Sequence, residues 1–228
     1  MTVGFSTLTQ SGEYIQIDEK FRCPTAGNVF LHGGNITGDW IDFPPQIDMR
    51  VACPTVFVRS AGWVGNFTII ANNSGSPRPK GCIFFYSTAP VEFMFVSTQN
   101  QNIASNRGLE IYHPEYGTVF SSAQRYPRIV EMPMINVTGP NHTVPISKGN
   151  SKNWFCINPI TPGLSRPLGQ GSDYSYPPYV HMALLQQNSF SLKFIENGLA
   201  TNILAQEASL SPYFNRQFRT PIAIIPGT

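Results

Sequence analysis

The sequence predicts an all-β protein built from two tandem β-sandwich-like units, and three observations carry that prediction. Short apolar runs recur along the chain, each closed off by Gly, Pro, Asn or Ser. Helical periodicity is missing apart from one short window, residues 200–208. The order of the strand-like phrases also repeats once in the second half of the chain.

Taken in order, the runs are EYIQI around Tyr14, TVFV around Val56, FTII from Phe67, CIFFY from Cys82 and VEFMFV from Val91. They continue as GLEIY from Gly108, RIVEM from Arg128, HMALL from His181, FSLKFI from Phe190 and IAII from Ile222. Each is rich in β-branched or aromatic residues and bounded by turn formers, which is the pattern of a strand. Twenty prolines and nineteen glycines fit many turns and sheet edges rather than helix interiors. Many short strands with regular punctuation make a sandwich or barrel.

The repetition starts at two hairpin-like phrases. GFSTLTQSGEYIQID, from Gly4 to Asp18, is echoed by GLEIYHPEYGTVFSS, from Gly108 to Ser122. The inner glycines, Gly12 and Gly117, stand where a hairpin turn favours positive φ. NITG at Asn35 returns as NVTG at Asn136. PTVFV returns as NWFCI, CIFFY as SLKFI, and TAPVEFMFV as RTPIAII. Order kept over that many echoes points to internal duplication. It divides the chain into residues 1–100 and 101–228, with the boundary in the polar stretch from Ser97 to Arg107. Two segments read as long loops, 72–81 and the Pro/Tyr-rich 160–179; loops of that length are commonly functional or interfacial.

Composition narrows the function classes. Apolar residues make up 41% of the chain, enough for a core, whereas charged residues make up 12%, against about 25% in an average soluble domain. The net charge is +2 and no basic run forms a phosphate-binding patch, so nucleic acid is not an expected partner. MTVGFSTLTQSGEYIQID has neither a basic lead nor an apolar segment of signal-peptide type, and no apolar run has bilayer length, so an integral membrane segment is not expected. Cys23, Cys53, Cys82 and Cys156 include no C-x-x-C pair and are read as free, mostly buried thiols of a protein made in a cytoplasm.

Catalytic patterns are absent: no G-x-S-x-G, H-E-x-x-H, Walker A or G-x-G-x-x-G before a helix. His32, His113, His142 and His181 are scattered singly, so neither a metal site nor a cofactor site is expected. Asp39 and Asp42 flank Trp40, which would suit glycoside chemistry only if another acid converged on them; a turn with an aromatic staple is the preferred reading. Glu110 and Glu115 bracket a hairpin turn and read as solvated. The N-x-S/T triplets at Asn35, Asn66, Asn72, Asn136 and Asn141 read as coincidence in a chain rich in those residues. Tyr174, Tyr176 and Tyr179, stiffened by Pro177 and Pro178, make the best interaction loop, since tyrosines offer apolar area with a polar tip at small entropic cost.

The stretch GLEIYHPEYGTVFSSAQRYPRIVEM resembles a pattern found in small tail proteins of long-tailed bacteriophages. It runs from Gly-large-x-large through a polar turn with Gly to large-Phe-Asp-Ser, then Arg-x-Pro-large-Arg-large-Val. Gly108, Leu109, Ile111, Gly117, Val119, Phe120, Ser121, Ser122, Arg125, Pro127, Arg128, Ile129 and Val130 carry the match, with Ser121 where Asp is usual. The N-terminal copy keeps Gly4, Phe5, Gly12, Ile17 and Asp18 without the Arg-Pro tail. The resemblance implies a non-enzymatic virion structural protein of the tail tip, baseplate or tail fibre, made in the host cytoplasm. Its implied partners are a central fibre or hub, adjacent tail-tip subunits and further copies of itself. The alternative is a receptor- or carbohydrate-binding module that contacts the host surface.

Overall fold

The computed structural model describes residues 4–8, 14–18, 24–35, 38–49, 51–70, 81–100, 109–113, 117–137, 141–150, 152–160, 179–196 and 216–228. The described residues contain strands and turns but no helix, so the protein is all-β. In the first half of the chain the strands are β1 Gly4–Leu8, β2 Tyr14–Asp18, β3 Thr25–His32, β4 Asp39–Asp42, β5 Thr55–Ser60, β6 Val64–Ile70, β7 Cys82–Ser87 and β8 Val91–Ser97. In the second half they are β9 Glu110–His113, β10 Gly117–Ser121, β11 Arg128–Glu131, β12 Met134–Val137, β13 Asn141–Pro145, β14 Trp154–Cys156, β15 Tyr179–Gln186, β16 Ser189–Glu196, β17 Arg216–Arg219 and β18 Ile222–Ile224.

Two six-stranded antiparallel sheets form the body. The first runs β11-β18-β14-β5-β8-β3 and the second β13-β16-β15-β6-β7-β4. Three two-stranded ribbons, β1-β2, β9-β10 and β12-β17, complete the pattern. Each half of the chain supplies three strands to each large sheet. The halves meet where β14 pairs with β5 and β15 with β6. Asn158 strengthens the first junction: its Oδ1 accepts the Val56 N–H at 2.8 Å and its Nδ2 donates to the Pro54 carbonyl at 3.2 Å.

Alternation explains which residues fill the core. Along β5, Val56 and Val58 enter the main cluster and Phe57 a second one; along β8, Val91, Phe93 and Phe95 enter the main cluster, Met94 and Val96 the second. From the second sheet, Ile83, Phe85, Ala183, Leu185, Phe190 and Leu192 join the same main cluster. The core therefore lies between the sheets, as in a sandwich, and draws on both halves. Trp154, Cys156, Ala223 and Ala26 belong to the second cluster with Phe57 and Met94, so the far face of the first sheet is apolar and buried too. A sheet buried on both faces yields continuous apolar runs, which is why VEFMFV shows little alternation in sequence.

One glycine is fixed by geometry. Gly38 has φ of +96°, and a Cβ there would stand 2.4 Å from the Phe84 ring. The end of NITG therefore needs both the left-handed conformation and the missing side chain.

Candidate functional site

The segment that carries the resemblance folds as a hairpin followed by a strap. β9 and β10 pair through Gly117–His113 and Thr118–Tyr112, then shift register before Ser121–Glu110. Ser121, where the pattern favours Asp, is fully buried and works as a turn cap. Its Oγ accepts the Ala123 N–H at 3.3 Å and donates to Glu110 Oε1 at 3.2 Å. An Asp could take the N–H but would set its charge against Glu110, which accounts for a hydroxyl in this chain. Tyr126 folds back over the turn: its hydroxyl accepts from Ser121 N–H and donates to Ser121 O, both at 3.1 Å, and its ring stacks on Phe120 at 5.3 Å. Glu110, read as solvated, is exposed yet held by this turn.

Next, Arg125 ties the strap to the edge strand of the other half. The Ala26 N–H donates to Arg125 O at 2.8 Å, and the Arg125 guanidinium donates to Gly27 O at 2.7 Å. Here β3 carries a bulge between Ala26 and Val29. The bulge, the Pro45–Gln46 turn, Asn100 and the strap enclose a cleft of about 790 Å³. Its other lining residues include Asn28, Gln124 and Arg125. Asn100 is 4% exposed; its Nδ2 donates to the carbonyls of Thr25 and Phe95, and its Oδ1 accepts from Gln46 Nε2 at 3.4 Å. The sequence signalled Arg125 through the recognised pattern but gave no sign of the four amides, which come from four separate stretches of chain.

The other residues singled out in the sequence fall as follows. Tyr174 and Tyr176 lie outside the described residues, and Tyr179 opens β15 with its side chain outside them as well. Asp39, Trp40 and Asp42 form strand β4 rather than a turn, paired with β7 through Trp40–Phe84. The Trp40 ring packs on Phe84 at 4.7 Å, while Asp39 accepts the Trp40 N–H at 2.8 Å and faces His32 Nε2 at 3.5 Å. Pairing of this strand with an apolar neighbour outweighed the turn tendency of its two aspartates. Glu115 lies outside the described residues. Among those residues no three His, Cys, Asp or Glu side chains gather as a metal site. Nor is any helix there long and apolar enough to cross a membrane.

Cys53, Cys82 and Cys156 are free thiols; Cys23 is outside the described residues. Cys82 and Cys156 are buried as expected, but Cys53 is exposed, because it sits in the turn ahead of β5 rather than in a strand. Burial pushes the Cys156 thiol up to about 11.

Among the described residues the large apolar side chains left exposed are Leu31, Trp40, Val51, Leu109, Tyr112, Ile129, Met132, Met134 and Ile224. Five of these nine lie between residues 109 and 134, and Ile224 is on the strand paired with β11.

No family model matches the chain, and neither a curated protein nor a solved structure does.

Proposed function

We propose that the chain is a structural protein of a long-tailed bacteriophage virion, placed at the tail tip, baseplate or fibre, which acts by protein–protein contact. The observation that carries this reading is the concentration of exposed apolar side chains along the segment with the tail-protein pattern and just past its end. Leu109, Tyr112, Ile129, Met132 and Met134 are each at least 42% exposed. Single exposed apolar residues need no explanation, whereas five along one stretch of chain support a partner that covers them. β11 is also an edge strand of the first sheet, and an edge offers unpaired backbone groups to a neighbour.

On this reading the neighbours are the central fibre or hub, adjacent tail-tip subunits, or further copies of the chain, and the chain resides in the virion after synthesis in the host cytoplasm. A specific interface of this kind buries about 800 Å² on each partner. Mass spectrometry and cryo-electron microscopy of purified particles test the proposal. The chain is expected in the tail with residues 109–134 against another subunit. Absence from the particle, together with turnover of a glycan by the purified chain, would replace it with an enzymatic reading.

A further inference from the structure

We propose that the cleft between the β3 bulge and the 122–127 strap binds a sugar bearing a carboxylate, an oligosaccharide of the hexuronate type. This goes beyond the assembly role and does not depend on it. The cleft measures about 790 Å³, within the ~300–1,000 Å³ typical of small-ligand sites. Its polar lining is Asn28, Gln46, Asn100, Gln124 and Arg125. Side-chain amides offer both donors and acceptors, which is what rows of sugar hydroxyls require. Among the described lining residues the guanidinium is the one charged group, and its planar fork fits a carboxylate. None of the described lining residues is acidic, so they offer a cation or a basic peptide no counter-charge. Among the described lining residues the apolar side chains are Ala26, Pro45 and Ala123, small groups that give a lipid or an aromatic ligand little to pack on.

The floor is already in place. Asn100 is locked by the carbonyls of Thr25 and Phe95 and by Gln46. Arg125 is oriented by Gly27 O at 2.7 Å, which leaves the other guanidinium N–H groups for further acceptors. A Cβ at residue 27 would stand 3.1 Å from Asn100 Oδ1, so the glycine keeps that floor uncrowded. Groups fixed before binding lose little freedom on binding. The walls come from both halves of the chain, so a ligand that bridges the strap and the bulge also stabilises the fold.

The test is calorimetric titration of the full chain with trigalacturonate, maltotriose and N-acetylglutamate, with melting temperatures recorded alongside. Trigalacturonate is expected to bind saturably and to raise the Tm. Maltotriose, which lacks the carboxylates, should bind at least about tenfold more weakly. N-acetylglutamate, a carboxylate without the sugar, should show no saturable binding. Because Arg125 also holds β3, the variants are Asn28→Ala and Gln124→Ala. Each should weaken trigalacturonate about tenfold, and Asn28→Ala, at an exposed side chain, should leave the Tm of the free protein unchanged. No saturable trigalacturonate binding, equal binding of maltotriose or of N-acetylglutamate, or full binding by both variants overturns the proposal.

Discussion

Glu131 at the end of β11 gives a perturbation whose size and pH dependence both follow from geometry. Its carboxylate accepts the N–H of Ser147 at 3.0 and 2.9 Å, of Lys148 at 2.8 Å and of Gly149 at 3.2 Å. This ties an edge strand to the turn between β13 and β14. The turn itself is tight, since a Cβ on Gly149 would come within 2.7 Å of Ile146 Cδ1. Burial raises the pKa of Glu131, but the three N–H donors and the Lys148 charge outweigh it, and the carboxyl lies below its ordinary value of 4.5. Glu131→Gln keeps one acceptor oxygen and removes the charge. Hydrogen bonds to a charged group contribute about 1.5–3 kcal/mol; discounted for the solvent that reaches this carboxylate, the net loss is about 1–2 kcal/mol. In a chain of this size that lowers the Tm by roughly 2–8 °C. A depressed pKa in the folded state stabilises fully above the unfolded value and is lost as the pH falls through the folded one. The gap between wild type and variant should therefore be constant near neutral pH, narrow below the ordinary carboxylate pKa and close in stronger acid. Thermal unfolding followed by far-ultraviolet circular dichroism across that range is the assay. Equal melting temperatures at neutral pH, or a gap that survives in acid, would refute the reasoning.

Two further outcomes follow from burial. Phe155 is 1% exposed and meets Phe190 edge-on at 5.4 Å across the two sheets, so Phe155→Ala should cost about 3–5 kcal/mol in urea unfolding. A loss under about 1 kcal/mol would mean that the site is not in a packed core. Maleimide labelling of the native protein, read by peptide mapping, should modify Cys53 well ahead of Cys82 and Cys156, because the latter two are buried and the Cys156 thiol is pushed up to about 11. Comparable rates at the three sites would contradict that burial.

The strands that the sequence revealed are those with the strongest apolar content. CIFFY and VEFMFV became β7 and β8, consecutive in the chain and one in each large sheet, within one residue of their ends. The strands it concealed are polar or peripheral. DWID became β4 although its aspartates favour turns, and TAGNVFLH became the bulged edge strand β3 although Gly27 and Asn28 interrupt its apolar pattern. Such strands exist because a neighbour pairs with them, and that neighbour lies far off in sequence: Trp40 faces Phe84 and Phe30 faces Phe93. The cleft was hidden for the same reason. Asn28, Gln46, Asn100 and Gln124 acquire meaning only when β3, a turn and the strap are brought together.

Strand register gives the duplication reading a numerical handle. The halves exchange places in both sheet orders: β3-β8-β5 beside β14-β18-β11, and β4-β7-β6 beside β15-β16-β13. The echo of NITG by NVTG is offset by 101 residues and that of CIFFY by SLKFI by 109. In the first half Trp40 pairs with Phe84; the two offsets then require Asn141 against Lys193, which is the pair observed. The hairpin offset of 104 likewise carries Leu8–Tyr14 onto Tyr112–Thr118, which is observed, but past the register shift in β10 it fails: Ile111 pairs with Phe120 where the offset requires Val119. The echo of TAPVEFMFV by RTPIAII does not keep register: Phe155 pairs with Ile222 where that offset of 131 demands Pro226. That shift of four residues preserves the buried face but breaks the alignment of the two prolines. The offset of 99 between PTVFV and NWFCI makes Phe57 and Cys156 equivalent, and these two residues face each other across the junction. On our reading a pseudo-two-fold axis passes through that pair, the remnant of a symmetric dimer of single units. Two tests follow. Phe57→Cys in the full chain, refolded under oxidising conditions because both positions are buried in the native protein, should form an intramolecular disulfide with Cys156, since directly opposed strand residues bring their Cα atoms to about 4.5–5.5 Å. Residues 101–228 expressed alone should restore the junction with a second copy, sedimenting as a dimer in which oxidation links Cys156 to Cys156. A folded monomer, or a dimer that oxidation leaves unlinked, would argue that the two halves share an order of strands without sharing an ancestor.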